Sequence, residues 1–295
     1  MKEKKIKTIA FLMLFSASLI FGSSFLVMKK TIDGIPEFFT LAIRFFFAGV
    51  VLSLLFIKKW KQFRLSYLLE GSVMGFFLFC GYGFQTVGLA HTTPGKNAFL
   101  TAFYCIIVPF LNWAAVKKKP EPITFLSAAI CIAGIGLVSL NADLSVGLGD
   151  FLTLICGFLF AFHIVFATKF SQNKDIILLT IIQFLSCGVY STVISLAFET
   201  PPQTVSRETV FNMVYLCVFA TTIALLFQNV GQKYLSPASS SLILSLESVF
   251  GVIFSMLFGY ERLTLKTAVG FVLIFTAVTL SQIDFKKKRP ACANV

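Results

Sequence analysis

Apolar residues in this chain do not follow the period of two or of 3.6 that marks a half-buried strand or helix. They run in near-continuous blocks of about 20, the length a helix needs to cross the hydrocarbon core of a bilayer. Ten blocks qualify: Thr8–Met28, Glu37–Ile57, Ser66–Leu89, Asn97–Val116, Ile123–Leu140, Gly149–Thr168, Ile176–Phe198, Val210–Gly231, Ala238–Phe258 and Leu265–Ile283. The breaks carry turn chemistry or charge, as in Asp33-Gly34, Thr93-Pro94-Gly95, Pro120-Glu121-Pro122, Pro201-Pro202 and Ser236-Pro237. No break is long enough to hold a soluble domain. The pattern predicts an all-α transmembrane bundle of ten helices.

The first block follows Lys2, Lys4, Lys5 and Lys7, a layout shared with secretory signals. Its length of about 20 residues suits a spanning helix that is retained. Composition agrees. The chain is 57% hydrophobic and 13% charged, with 36 Phe. Soluble domains carry roughly 25% charged residues, so no polar shell is left for a water-soluble globule.

A net charge of +12 would suggest nucleic acid in a soluble protein. Here the charge falls in short clusters between apolar blocks, such as Lys58, Lys59, Lys61 and Arg64, or Lys117, Lys118 and Lys119. No basic face interleaved with aromatics accompanies them, so the expected partner is the lipid bilayer and not nucleic acid. With the N-terminus inside and ten spans, cytoplasmic segments hold 18 Lys and Arg and outer segments 6. That bias predicts cytoplasmic N- and C-termini in a multi-pass protein of the inner (plasma) membrane.

Seven Cys stand singly, six of them inside apolar blocks, with no CxxC pair. They read as small hydrophobes and imply neither disulfides nor a metal site. There is no GxxxxGK[ST], HExxH or GxSxG, and only two His, His91 and His163. The chain is therefore expected to be no enzyme and to need no cofactor.

The halves are alike. At an offset of 139, Phe21 meets Phe160, Lys30 meets Lys169, Phe45 meets Phe184 and Gly49 meets Gly188. At 143, Phe84 meets Phe227, Gln85 meets Gln228 and Pro94 meets Pro237, and at 140 Glu121 meets Glu261. Helix boundaries stay in phase throughout. The expected units are residues 1–140 (helices one to five) and 141–295 (helices six to ten). Five is odd, so the second copy enters the membrane from the opposite side. The expectation is two inverted five-helix repeats, the plan of many secondary transporters.

Polar side chains inside a bilayer are costly unless paired or facing water, which makes them the default functional candidates. The repeat superposes Ser24 on His163, Arg44 on Gln183, Gln85 on Gln228 and Tyr104 on Glu247. Asn97, Thr101, Tyr104 and Asn112 share one helical face, and Ser240, Glu247, Gly251 and Ser255 share the equivalent face of the ninth helix. These stripes read as walls of a hydrated cavity. The expected substrate pathway is Ser24, Arg44, Gln85, Asn97, Thr101, Tyr104, His163, Gln183, Gln228, Ser240 and Glu247. Blander roles stay open. Ser240 and Ser255 could simply bind helices together, His163 could be a packing residue, and Gln85 and Gln228 could join helix to helix.

Arg44 and Glu247 are the only full charges deep in apolar blocks. Arg44 lies seven residues inside its helix, about 10 Å deep at 1.5 Å per residue, and Glu247 lies nearer the midplane. The expectation is an ion pair across the repeat interface, which substrate or a proton could open; a fixed structural pair and no pairing are the alternatives.

These features resemble the EamA-like branch of the drug/metabolite transporter superfamily. The carriers of the resemblance are Phe21-Gly22-Ser23-Ser24-Phe25, Arg44-Phe45, Ser245-Leu246-Glu247 and Gly259-Tyr260-Glu261-Arg262-Leu263. Phe21 stands where the family often has Trp, and Ser248 where Pro often follows the glutamate. The resemblance implies ten helices, inverted repeats, and transport of amino acids, related metabolites or drugs, with export as the expected direction. Protons are a candidate coupling ion and a homodimer a candidate assembly. A membrane-embedded sensor or assembly factor is the alternative, and it would not need a cavity reaching both sides.

The topology has a direct check. Reporter fusions at Val295 and within the Glu199–Glu208 loop should report opposite sides of the membrane. Reports from one side would refute the helix count.

Overall fold

A computed structural model of the chain describes residues 2–117, 122–139, 146–262 and 264–280. Regular structure in these residues is helical. The α-helices are α1 (Lys2–Ile32), α2 (Glu37–Leu55), α3 (Leu65–Ala90), α4 (Pro94–Thr101), α5 (Tyr104–Val116), α6 (Pro122–Ser139), α7 (Leu148–Ser171), α8 (Ile176–Phe198), α9 (Arg207–Tyr215), α10 (Ala224–Tyr234), α11 (Pro237–Leu257) and α12 (Leu265–Leu280). A 3-10 helix, Ile57–Gln62, joins α2 to α3, and a π-helical stretch, Leu216–Ile223, fuses α9 to α10.

Each expected apolar block falls on a helix. Among the described residues eight helical rods are long and apolar enough to cross a membrane, counting α4 with α5 and α9 with α10 as single rods. The other two, α6 and α12, are apolar but shorter. Leu140 at the end of the fifth block and residues 281–283 at the end of the tenth lie outside the described residues, as do Lys118, Lys119, Glu121, Leu263 and Cys292.

Two helices start with a proline behind a side-chain cap. Pro94 and Pro237 sit in the first turn, where a missing N–H costs nothing, behind Thr93 and Ser236, whose hydroxyls accept from the amides of Lys96 and Ser239. The fourth block therefore begins at Pro94, ahead of the expected Asn97.

Polarity is inverted relative to a soluble fold. Leu196, Phe198 and Leu265 are 76%, 81% and 82% exposed, whereas Asn97, Thr101, His163, Gln183 and Asn229 are buried. An outer surface this apolar suits lipid, and the polar side chains find their partners inside the bundle.

α1 packs on α11, α2 on α8, α3 on α7 and α8, α4 on α11, and α6 on α12. Small residues let these backbones close up. A Cβ added at Gly22 of α1 would lie 2.4 Å from Cβ of Phe250 on α11. The α6–α12 contact is reciprocal: a Cβ at Gly134 would come 2.9 Å from the Gly270 carbonyl, and one at Gly270 3.0 Å from the Gly134 carbonyl. Close backbone approach of this kind is how helices associate where no hydrophobic effect separates helix from lipid.

Polar clasps tie helices at both ends of the bundle. At one end Lys96 pairs with Asp150 at 2.6 Å, Thr92 donates to Asp150 at 2.7 Å, and Lys29 donates to the Leu89 and Ala90 carbonyls. Glu199 accepts from the amides of Phe38 and Phe39 at 2.8 Å each, placing a carboxylate at the positive end of α2. At the opposite end Lys174 pairs with Glu70 at 2.7 Å and Lys59 pairs with Asp175. Burial raises the Asp175 pKa, but the Lys59 ammonium and the α8 amides of Leu178 and Ile177 outweigh it and hold the carboxyl below its usual range.

Leucine at Gly134 cannot fit against α12. Gly134→Leu should lower the thermal midpoint of the purified protein, a cost of about 1–3 kcal/mol for overpacking. Gly147→Leu should leave it unchanged, because nothing lies within 4 Å of an added Cβ there. Differential scanning fluorimetry in one detergent compares the two.

Candidate functional site

Near the middle of the bundle lies a small, partly enclosed cavity. α1 contributes Phe21, Ser24 and Phe25, α3 contributes Leu78, Tyr82 and Gln85, and α5 contributes Tyr104. From the second half come Phe160 and Ile164 of α7, Leu225 and Gln228 of α10, and Leu244 and Glu247 of α11.

Five expected residues are thus brought to one space: Ser24, Gln85, Tyr104, Gln228 and Glu247. At its centre the Tyr104 hydroxyl donates to Glu247 Oε1 at 3.0 Å. Oε2 of Glu247 takes no hydrogen bond among the described residues and is not sealed from the cavity. Gln85 Nε2 donates to Thr101 Oγ1 at 3.2 Å, which fixes its amide on the wall. The Ser24 hydroxyl donates to the Phe21 carbonyl of its own helix, a common way for a serine to settle inside a membrane helix.

Two local departures from the α-helix aim these groups. Between α4 and α5 the amides of Phe103, Cys105 and Ile106 bond to the carbonyls three residues back. The tighter turn rotates the rest of the rod. Tyr104 swings to Glu247, and the expected face of Asn97, Thr101, Tyr104 and Asn112 is not kept as one stripe; Asn112 is half-buried and does not line the cavity. Asn97 instead is a strut, its Nδ2 donating to Thr153 Oγ1 at 2.7 Å and to the Gln85 carbonyl at 3.2 Å.

The second departure is the π-helical stretch, a geometry that occurs mostly as short insertions and frequently at functional sites. Its wider turn presents Thr221, whose hydroxyl donates to the Leu216 carbonyl and accepts from Arg44 Nε at 2.9 Å. Arg44 is 2% exposed. Its remaining partners are Met28 Sδ at 3.6 Å and the Tyr82 and Phe45 rings, whose centroids lie 5.2 and 6.0 Å from the guanidinium carbon.

The expected Arg44–Glu247 ion pair is therefore not formed. The arginine is held between α2, α1 and the π turn, and the glutamate by Tyr104. Tyr82 touches the arginine and lines the cavity, whereas Arg44 does not line it. Depth along the helices puts both charges at similar levels but carries no information about the ring between them.

The other expected residues stand apart from the cavity. His163 Nε2 and Gln183 Oε1 meet at 3.1 Å and join α7 to α8. Thr101 serves Gln85, and Ser240 is fully buried with no partner for its hydroxyl among the described residues. Gly251 and Gly22 are packing positions between α11 and its neighbours. Sequence reasoning misses Tyr82 and Thr221. Tyr82 lies three residues before Gln85, so helical spacing could have placed it beside that amide. Thr221 had no such signal, because a π turn is invisible to a 3.6-residue period.

The description of the EamA-like transporter family matches twice, over residues 8–140 and 147–282. An uncharacterized transporter from Archaeoglobus fulgidus is 30% identical over 263 residues, spanning 89% of this chain and 82% of its own. The uncharacterized transporter YoaV of Bacillus subtilis is 24% identical over 288 residues, spanning 93% and 97%. One solved crystal structure superposes with a TM-score of 0.70 at 16% identity, covering 92% of this chain and 96% of its own, and shares the fold.

Thr221→Val keeps the shape and removes the acceptor from Arg44. A hydrogen bond to a charged group contributes about 1.5–3 kcal/mol, so the variant should lose stability of that order. Thr222→Val is the comparison, because the Thr222 hydroxyl bonds only to the Cys217 carbonyl of its own helix. Equal thermal shifts for the two would mean that Thr221 does not hold Arg44.

Proposed function

We propose, from the premise that the chain belongs to the EamA-like transporter family, that it is a secondary carrier. It moves small metabolites, amino acids or related compounds, or drugs, across the bacterial inner membrane by alternating access, with export as its working direction. The chain is a multi-pass membrane protein; the inner membrane and the cytoplasmic placement of both termini are part of the proposal.

The observation that carries this reading is where the repeat-related residues meet. Tyr104 and Glu247 superpose in the two halves and are hydrogen-bonded to each other. Gln85 and Gln228 also superpose, and they line the same cavity. Residues related by a two-fold axis meet only where they lie on that axis. This supports two inverted five-helix repeats, 1–140 and 141–295, facing each other across one binding space. The pairings of α2 with α8 and of α6 with α12 have the same self-related character.

The clasps supply a physical basis for gating. Lys96–Asp150 at one end and Lys174–Glu70 at the other each join the first half to the second. Opening either one while the other holds would expose the cavity to one side at a time. Glu247 is the group through which solute or a proton biases that choice, and Ser24, Gln85, Tyr104 and Gln228 complete the pathway. Arg44, Asn97, Thr101, His163, Gln183 and Ser240 position the walls. The α6–α12 pair scaffolds the bundle or a homodimer.

Proteoliposomes test the carrier. Wild-type protein should support counterflow of a labelled solute that it binds, and the rate should depend on pH. Glu247→Gln should retain folding but lose that pH dependence. A wild-type protein that binds solutes without moving any of them would support the sensor reading instead.

A further inference from the structure

Among the described residues Glu247 is the cavity's only ionisable lining group apart from two tyrosines, and no Lys or Arg lines it. Glu247 is 7% exposed and offers Oε2 without a protein partner among the described residues, so a bound solute has one unclaimed oxygen to meet. Around it stand the rings of Phe21, Phe25, Tyr82, Tyr104 and Phe160. Ring faces attract cations through their quadrupole, more strongly where water is excluded.

Arg44 supplies no cation at the ligand's position. Its guanidinium is engaged by Thr221, and the Tyr82 ring that it touches is itself a wall of the cavity. A solute carboxylate would sit beside Glu247 with no lining cation to offset the repulsion. An ammonium group has three donors and no acceptor, and it matches a free carboxylate oxygen flanked by ring faces.

We infer that this cavity selects an amine-bearing solute, its protonated amino group on Glu247 and its apolar or aromatic body against Phe21, Phe25 and Phe160. The inference names the substrate class for the carrier reading and rests on it. The same amine could reach the site as a metabolite or as a drug, since the recognition uses the ammonium and the ring alone.

Three ligands with one body and different heads form the test: phenethylamine, phenethyl alcohol and 3-phenylpropionate. Binding is measured by calorimetry on the full chain in nanodiscs at neutral pH. The amine should bind at least about tenfold more tightly than the alcohol, the worth of one charge-assisted hydrogen bond, and the propionate most weakly. Glu247→Gln should bring the amine to the level of the alcohol. Tyr104→Phe keeps the carboxylate and should keep the preference. Equal or tighter binding of the propionate, no binding of the amine, or an amine preference that survives in Glu247→Gln would each overturn the inference. The wild-type comparison stands even if a variant does not fold. Counterflow with the same ligands separates the two levels. Amine binding without flux counts against the carrier and leaves the inference intact, whereas flux of the propionate with no amine preference does the reverse.

Discussion

A polar group left unpaired in hydrocarbon costs several kcal/mol, and this constraint organises the molecule. It forces the backbone into helices, where every interior amide finds its carbonyl. It then drives the polar side chains to one another across helix interfaces. Asn97 reaches Thr153, His163 reaches Gln183, Asn229 reaches Thr180, and Tyr104 reaches Glu247. Each bond joins two different helices. The polar residues that look scattered in the sequence are the ties of the bundle, and the small residues between them set how closely the helices lie.

Within that framework the cavity is where a carboxyl oxygen is left open to a ligand. Glu247 keeps one oxygen free in a space that aromatic rings surround. Two irregular turns, one tighter and one wider than the α-helix, direct Tyr104 toward Glu247 and Thr221 toward Arg44. Departures from regular helix are tolerated inside a membrane protein where other groups take up the freed bonds. Here the hydroxyls of Thr221 and Thr222 bond to carbonyls five residues back, filling out the wide turn.

The clasps at the two ends are of another kind. Lys96–Asp150 and Lys174–Glu70 lie where α3 and α4 of the first half meet α7, and the segment after it, in the second. Their partly exposed lysines keep access to water, so these pairs can open at lower cost than a bond at the middle of the bundle.

The apolar blocks, the breaks at Pro94 and Pro237 and the likeness of the two halves were legible in the sequence, and of the eleven expected polar residues five, Ser24, Gln85, Tyr104, Gln228 and Glu247, line one cavity. Each comes from a one-dimensional rule: block length set by bilayer thickness, proline chemistry at a first turn, and the cost of polarity in lipid. Partner choice was not legible. Sign and depth match Arg44 with Glu247, and the structure gives them to Thr221 and Tyr104 instead. Depth along a helix can be counted from residue numbers. Rotation about its axis cannot, once a 3-10 or π turn changes the angle per residue, and that rotation decides which side chain meets which.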